Sequence, residues 1–221
     1  MQEEKTHVYL MPGMAASKAI FEYINLPCDQ FELHYLEWII PYKKEALTSY
    51  AKRMSELVQH QNPVLLGVSF GGILVQEMNK YISVKKTVVV SSVLNEKDYP
   101  FRMKFAKLSK VYKLAPTRMF SDVEKLAKYA FGVTIKERIE LYKKYLSVND
   151  KKYLDWALEE IINWKQTQKL DNVIHIHGTN DRVFPFKNIK GDFIAVKNGT
   201  HVMIINKYKW FNENLPKLLI A

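Results

Sequence analysis

Short, nearly unbroken apolar runs alternate along this chain with stretches in which apolar residues recur every three or four positions. The first kind reads as buried strand and the second as amphipathic helix. His7–Met11 is the first run, ended by Pro12-Gly13. Ser17 is placed to cap a short helix carrying Ile20, Phe21 and Ile24 on one side. Phe31–Trp38 reads as a second strand, stopped by Pro41, and Glu45–His60 has helical spacing, with Leu47, Tyr50, Ala51, Met54, Leu57 and Val58 on its apolar side. Val64–Val68 is again strand-like and runs into a glycine-rich turn, after which a helix is predicted from about Gly72 to Ile82. Thr87–Val90 is a further strand, closing on Ser91-Ser92.

Strands that alternate with helices and are apolar on both faces imply a parallel sheet with helices on either side, a three-layer α/β/α arrangement. The alternation breaks at about Glu96. From there to about Leu170 the pattern is helical throughout: Phe101, Phe105, Leu108 and Tyr112 form one stripe, Tyr153, Trp156, Ala157, Ile161 and Trp164 another. Ser121 with Glu124 and Thr134 with Glu137 have the spacing of capping boxes. Strands at Val173–His177 and Phe193–Val196 and a last helix from about Asn206 to Leu219 resume the alternation. The expected organisation is therefore a core of residues 1–96 and 171–221 interrupted by an all-helical insertion, 97–170.

At 221 residues with 48% hydrophobic content, the chain has the material for one well-packed domain. Its single cysteine, Cys28, rules out an internal disulfide framework and any multi-cysteine metal site. No apolar stretch is long enough for export or to span a bilayer, so a cytoplasmic protein is expected. The net charge of +10 is uneven: Lys97–Lys169 holds 17 Lys/Arg against 9 Asp/Glu, the rest of the chain 16 against 14. The excess is spread over the helical insertion rather than gathered in a tail or a known nucleic-acid motif, which argues for a solvated cationic surface that can attract anions and against nucleic-acid binding.

The chemistry centres on Gly67-Val68-Ser69-Phe70-Gly71. At ordinary glycine usage a GxSxG match arises by chance in roughly one chain in ten to twenty, so its context carries the weight. The match follows an apolar strand directly and opens a helix directly, which is the strand–turn–helix setting that projects a serine hydroxyl above a sheet. Glycines at 67, 71 and 72 leave room for a tight turn, and the helix N-terminus brings positive potential to the place where an oxyanion would develop.

A serine nucleophile needs a base, and the base an orienting carboxylate. Asp181 lies in a polar loop just after a strand, and His201 lies between the last strand and the last helix, so both fall at the sheet edge that carries Ser69. Among the other histidines, His7 precedes its strand, His34 is mid-strand and His60 ends a helix. His175 and His177 point the same way from one strand, but no further ligand of suitable spacing joins them, and no metal or cofactor is expected. Asp171 and Asp192 precede strands and fall at the wrong edge; Asp98 is the competing acid at the right one. The oxyanion donors are read as the Phe70 amide and an amide of the loop after the first strand, Met14 first and Gly13 second.

Four ordered segments, LMPGMAAS (10–17), LLGVSFGG (65–72), HGTNDRVFP (177–185) and GTH (199–201), resemble the α/β-hydrolase superfamily, in particular its small esterase-like members with a helical cap. The resemblance implies Ser69 as nucleophile, Asp181 as acid, His201 as base, Met14 and Phe70 as oxyanion donors, and cofactor-free cleavage of a carboxylic ester or thioester through an acyl-enzyme. It also implies a mostly parallel sheet of about six strands, because the chain starts at what resembles the third strand of the full eight. The usual His-Gly after the first core strand is Pro12-Gly13 here. Met14, Trp38, Ile39 and Phe70 are the expected substrate contacts and favour an apolar acyl or aryl group, with an anionic leaving group met by the cationic cap. Acyl transfer or C–C cleavage on the same triad, or a low-turnover binding protein with this fold, are the competing readings.

Overall fold

The computed structural model describes residues 5–110, 144–168 and 170–220. Six strands form one sheet: β1 (Thr6–Met11), β2 (Phe31–Tyr35), β3 (Val64–Val68), β4 (Lys86–Val90), β5 (Val173–Gly178) and β6 (Ile194–Val196). Their order is β2-β1-β3-β4-β5-β6 and every neighbouring pair is parallel. Among the described residues the α-helices are α1 (Leu47–Ser55), α2 (Phe70–Met78), α3 (Phe101–Ser109), α4 (Lys151–Asn163), α5 (Met203–Asn206) and α6 (Tyr208–Ile220). The expected α/β/α fold with six strands is therefore the one observed.

Strand period separates two cores. Tyr9, Met11 and Leu65 face the layer built by α1, α2 and α4, where Tyr50, Met54, Phe70, Tyr153 and Trp156 meet them. Val8, Leu10, Val64, Leu66, Val88, Val90 and Ile176 face the opposite layer, with Phe211, Leu215 and Leu219 of α6. A strand that must fill both faces has no polar positions to spare, which is why the sequence shows runs rather than alternation.

Several elements differ from their predicted bounds for local reasons. The helix read over Glu45–His60 ends at Ser55, because the Tyr9 hydroxyl captures the Gln59 amide at 3.0 Å and pulls the chain into a loop. Helix α2 begins at Phe70, two residues earlier than expected, since the Ser69 carbonyl already accepts from Gly72 and Ile73. The last predicted helix is α6, starting at Tyr208, and a short helix not read from the sequence, α5, precedes it across Lys207.

In the insertion between β4 and β5 the described residues form helices and no strand. The capping boxes at 121–124 and 134–137, and Tyr112, lie outside the described residues. Helix α4 is capped by the Asp150 carboxylate, which accepts from the Tyr153 amide. Its apolar stripe is buried as read: Tyr153, Trp156, Ala157 and Ile161 lie in the core beside α1 and α2. Hydrogen bonds pin it there, from Trp156 Nε1 to the Glu45 carbonyl (2.7 Å) and from Trp164 Nε1 to Glu77 Oε1 (2.8 Å). The α3 stripe behaves oppositely, with Phe101 and Leu108 81% and 85% exposed. Helical spacing identifies a stripe without saying what it faces.

Candidate active site

The chain leaves β1 toward β2 on one side and returns to β3 on the other, so the strand order reverses between β1 and β3. Ligands of open parallel sheets bind in the crevice outside the carboxyl ends of the strands at such a point. Two loops meet there, Pro12–Ala16 after β1 and the turn at Ser69 after β3. They are in contact: a Cβ placed on Gly13 would lie 3.3 Å from Ser69 Cβ.

Ser69 has φ +55° and ψ −119°, a conformation that costs a non-glycine residue on the order of 1–3 kcal/mol and persists only where its surroundings impose it. The surroundings here are specific. The Ser69 amide donates to the Val90 carbonyl (2.9 Å), and its carbonyl accepts the Ser92 hydroxyl (2.6 Å) and the Gly72 amide (2.9 Å). Gly71 is required on steric grounds, because a Cβ there would stand 2.3 Å from the Pro12 carbonyl oxygen.

A second pair of glycines brings the acid and base loops together. A Cβ on Gly178, at the end of β5, would collide with the Gly199 carbonyl at 2.3 Å. The Asn180 amide donates to that same carbonyl at 2.8 Å, and the Thr179 amide donates to the Val196 carbonyl at 3.1 Å. This contact holds Asp181 and His201 side by side. His201 donates from Nδ1 to Asp181 Oδ2 at 2.9 Å, which leaves Nε2 to accept the Ser69 hydroxyl, also at 2.9 Å. The structure thus joins Ser69, His201 and Asp181 in one line of hydrogen bonds across 132 residues of sequence. Asp98, the competing acid, is instead buried against the Lys190 amide, which donates to its Oδ1.

Asp181 is buried, and burial pushes its carboxyl up; the positive charge and hydrogen bond of His201, then His177 and the Phe184 amide, outweigh that and hold it below the ordinary aspartate value. Its other oxygen, Oδ1, accepts from the Val183 and Phe184 amides at 2.7 and 2.9 Å. His177 donates from Nε2 to the Phe184 carbonyl at 2.8 Å, so it braces the loop that carries Asp181. Burial lowers His177 below the usual histidine value, and burial next to His177 pushes His175 down to about 4. His175 and His177 each bond a carbonyl through Nε2, that of Ser92 in the first case, rather than sharing a ligand.

Among the residues read as substrate contacts, Met14, Trp38 and Ile39 are half-buried and pack together on the core. The Phe70 ring is 1% exposed, stacked on Trp38 at 5.0 Å and close to Trp156 at 5.8 Å, so it is packed into the core. Trp38 has a task the sequence did not suggest. Its Nε1 donates to the Gly13 carbonyl at 2.8 Å, tying the loop that holds Met14 to the ring that lies over Phe70. The loop is also held from the insertion: the Val148 amide donates to the Ala15 carbonyl and Ser17 donates its amide to the Tyr145 carbonyl. Chemically, this is a hydroxyl within hydrogen-bond reach of an imidazole nitrogen, at the N-terminus of helix α2.

No protein-family model matches the sequence, and no curated protein matches it. Solved structures do. An esterase from Exiguobacterium antarcticum matches with a TM-score of 0.75 at 18% identity, over 99% of this chain and 93% of that one. A bromoperoxidase from Bacillus anthracis gives 0.71 at 19% identity, over 99% and 93%. A thermophilic esterase from Thermogutta terrifontis gives 0.67 at 14% identity, over 96% and 90%. The chain has the α/β-hydrolase fold, with a helical cap inserted after the fourth strand.

Proposed function

We propose that the chain is a serine hydrolase that cleaves a carboxylic ester or thioester through an acyl-enzyme on Ser69. The observation that carries this reading is the unbroken line from Ser69 Oγ through His201 to Asp181, set on a strained turn at the switch point of the sheet. Esterases among the similar structures support it. Residues 97–170 act as the cap over a core of 1–96 and 171–221.

The cycle follows from the geometry. Ser69 Oγ attacks the acyl carbonyl carbon while His201 Nε2 takes its proton, and Asp181 holds the imidazole with Nδ1–H directed at its own oxygen. The amides of Phe70 and Met14 receive the oxyanion, with Gly13 as the alternative second donor; one such donor contributes about 3–4 kcal/mol to the transition state. Collapse of the tetrahedral intermediate expels the alcohol or thiol, which takes the proton from His201. Water then enters, His201 removes its proton, and attack on the acyl carbon returns Ser69 to its hydroxyl form with release of the acid.

Met14, Trp38 and Ile39 supply apolar surface for the acyl or aryl group, and the lysine-rich cap favours an anionic leaving group. The test is a series of p-nitrophenyl esters from short to long chain, with acyl-CoA thioesters alongside, followed under pre-steady-state conditions. The reading expects turnover of at least one ester, with a first burst of nitrophenol no larger than the enzyme concentration. Absence of both turnover and burst across the series would reject it.

A further inference from the structure

Away from the Ser69 site, the beginning of the sheet collects the other three histidines. His7 is the second residue of β1 and Tyr9 the fourth, so their side chains leave the same face. In the parallel pair β1–β2, Tyr9 stands opposite His34 and His7 opposite Glu32, which brings four polar or aromatic side chains to one face of two adjacent strands. The loop after α1 covers that face and adds His60.

The three rings are in contact. His7 Nδ1 and His34 Nε2 are 2.9 Å apart, His7 stacks on His60 with centroids at 3.5 Å, and His34 and His60 have centroids at 4.7 Å. One nitrogen from each ring lies within 4.8 Å of the other two, the one such grouping of His, Cys, Asp or Glu among the described residues. A tetrahedral zinc ion with bonds of about 2.0–2.1 Å needs its nitrogen ligands about 3.3 Å apart; the three nitrogens, within 4.8 Å of one another, close in on the ion as the stacked His7 and His60 rings rotate apart. Glu32 adds a carboxylate 3.8 Å from His7 Nδ1 and 3.9 Å from His34 Nε2, and it is exposed, which leaves a path for an ion to enter. Tyr9 Oη bonds His60 Nδ1 at 2.7 Å and accepts the Gln59 amide, fixing the His60 ring.

We infer that His7, His34 and His60 form a binding site for a divalent transition-metal ion of the zinc class, with Glu32 or water as fourth ligand. Imidazole suits zinc, copper and nickel, and only its neutral form ligates. Metal entry breaks the contact between His7 Nδ1 and His34 Nε2; the ring that donated there carries its proton on its other nitrogen instead, so both lone pairs turn to the ion. The bound metal would fasten the edge strand β2 to β1 and to the loop ahead of β3. The site lies about 13 Å of strand length before the end of β1, outside the esterase reading, and it needs none of Ser69, Asp181 or His201.

The experiment uses the full, tag-free chain, stripped with chelator and titrated with Zn2+ at neutral pH by calorimetry, alongside H34Q, H60Q and H201A. The site predicts one ion per chain with a Kd of about 10 µM or tighter, at least tenfold weaker in H34Q and in H60Q and unchanged in H201A. Thermal unfolding of the wild type should rise with Zn2+, and this rise should vanish in H60Q. Where H34Q fails to fold, H60Q in the exposed loop and Cu2+ electron paramagnetic resonance of the wild type decide instead; three coupled nitrogens are expected. No binding below about 100 µM, one nitrogen or none on copper, or binding lost in H201A but kept in H60Q would overturn the inference.

Discussion

The two ends of the sheet both gather histidine, and they use it differently. At the carboxyl ends of the strands a single ring, His201, stands between a hydroxyl and a buried carboxylate, each at 2.9 Å. At the other end three rings face one another, and the carboxylate beside them, Glu32, is exposed and 3.8 Å away. The first arrangement gives the imidazole an acid-side anchor and directs one lone pair at one proton. The second has no anchored anion to favour an imidazolium and brings one nitrogen of each of three rings within 4.8 Å of the others. Partners, more than the histidines themselves, decide whether a cluster moves protons or holds a cation.

The largest effect should come from cutting the line at the carboxyl edge. Ser69→Ala and His201→Ala are each expected to lower kcat for ester hydrolysis by on the order of 10⁴-fold or more, and Asp181→Asn by about 10⁴-fold. The double variant Ser69→Ala/His201→Ala should be no slower than either single one, because the residues act as a unit. Additive losses would break the comparison, since they would mean that the groups act separately, as independent ligands do.

The next effect is on stability. His175 is buried behind the site with its value pushed down to about 4 from 6.5, first by burial and then by His177. Between those two pH values only the unfolded chain binds the proton, so stability rises with pH there. It is complete above about pH 6.5 and is lost as pH falls toward 4, by about 3 kcal/mol for this residue. His177 and His34 shift in the same direction and add to the loss. Thermal unfolding followed from pH 7.5 to 4 checks this, and a His175→Gln variant should show a shallower fall.

Trp38→Phe keeps a ring over Phe70 but removes the donor to the Gly13 carbonyl. A fall in kcat of about tenfold is expected, with KM little changed, because the change loosens an oxyanion loop rather than a binding surface. A rise in KM at constant kcat would make Trp38 a pocket wall only. The smallest effect is at Ser92, whose hydroxyl bonds the Ser69 carbonyl: Ser92→Ala should cost about 1 kcal/mol, read as a drop in Tm of about 2–4 °C.

The same contrast explains what could be read from the sequence. The Ser69 turn is local: its two constraints, room at Gly67 and Gly71 and a strand-to-helix junction, lie within a few residues and leave a written trace. Asp181 and His201 were legible because each follows a strand, and a strand's end fixes the sheet edge. The contact between Gly178 and Gly199 that joins them was not, since it depends on how two loops cross. The histidine trio was invisible for a similar reason. His7 and His34 meet only through the register that sets Tyr9 opposite His34, and His60 arrives only because α1 stops at Ser55. No spacing along one element encodes that. Helical stripes were also read without their targets, so α4 was buried as expected while Phe101 and Leu108 of α3 were not.

The most direct measurement is covalent. The full chain is treated with a fluorophosphonate probe, and the adduct is located by intact mass and peptide mapping, beside Ser69→Ala and His201→Ala. A nucleophile activated by His201 predicts one adduct per chain on Ser69, absent from Ser69→Ala and formed far more slowly in His201→Ala. A wild-type protein that stays unlabelled, or a label that persists in Ser69→Ala, would contradict the assignment of Ser69 as the reacting serine.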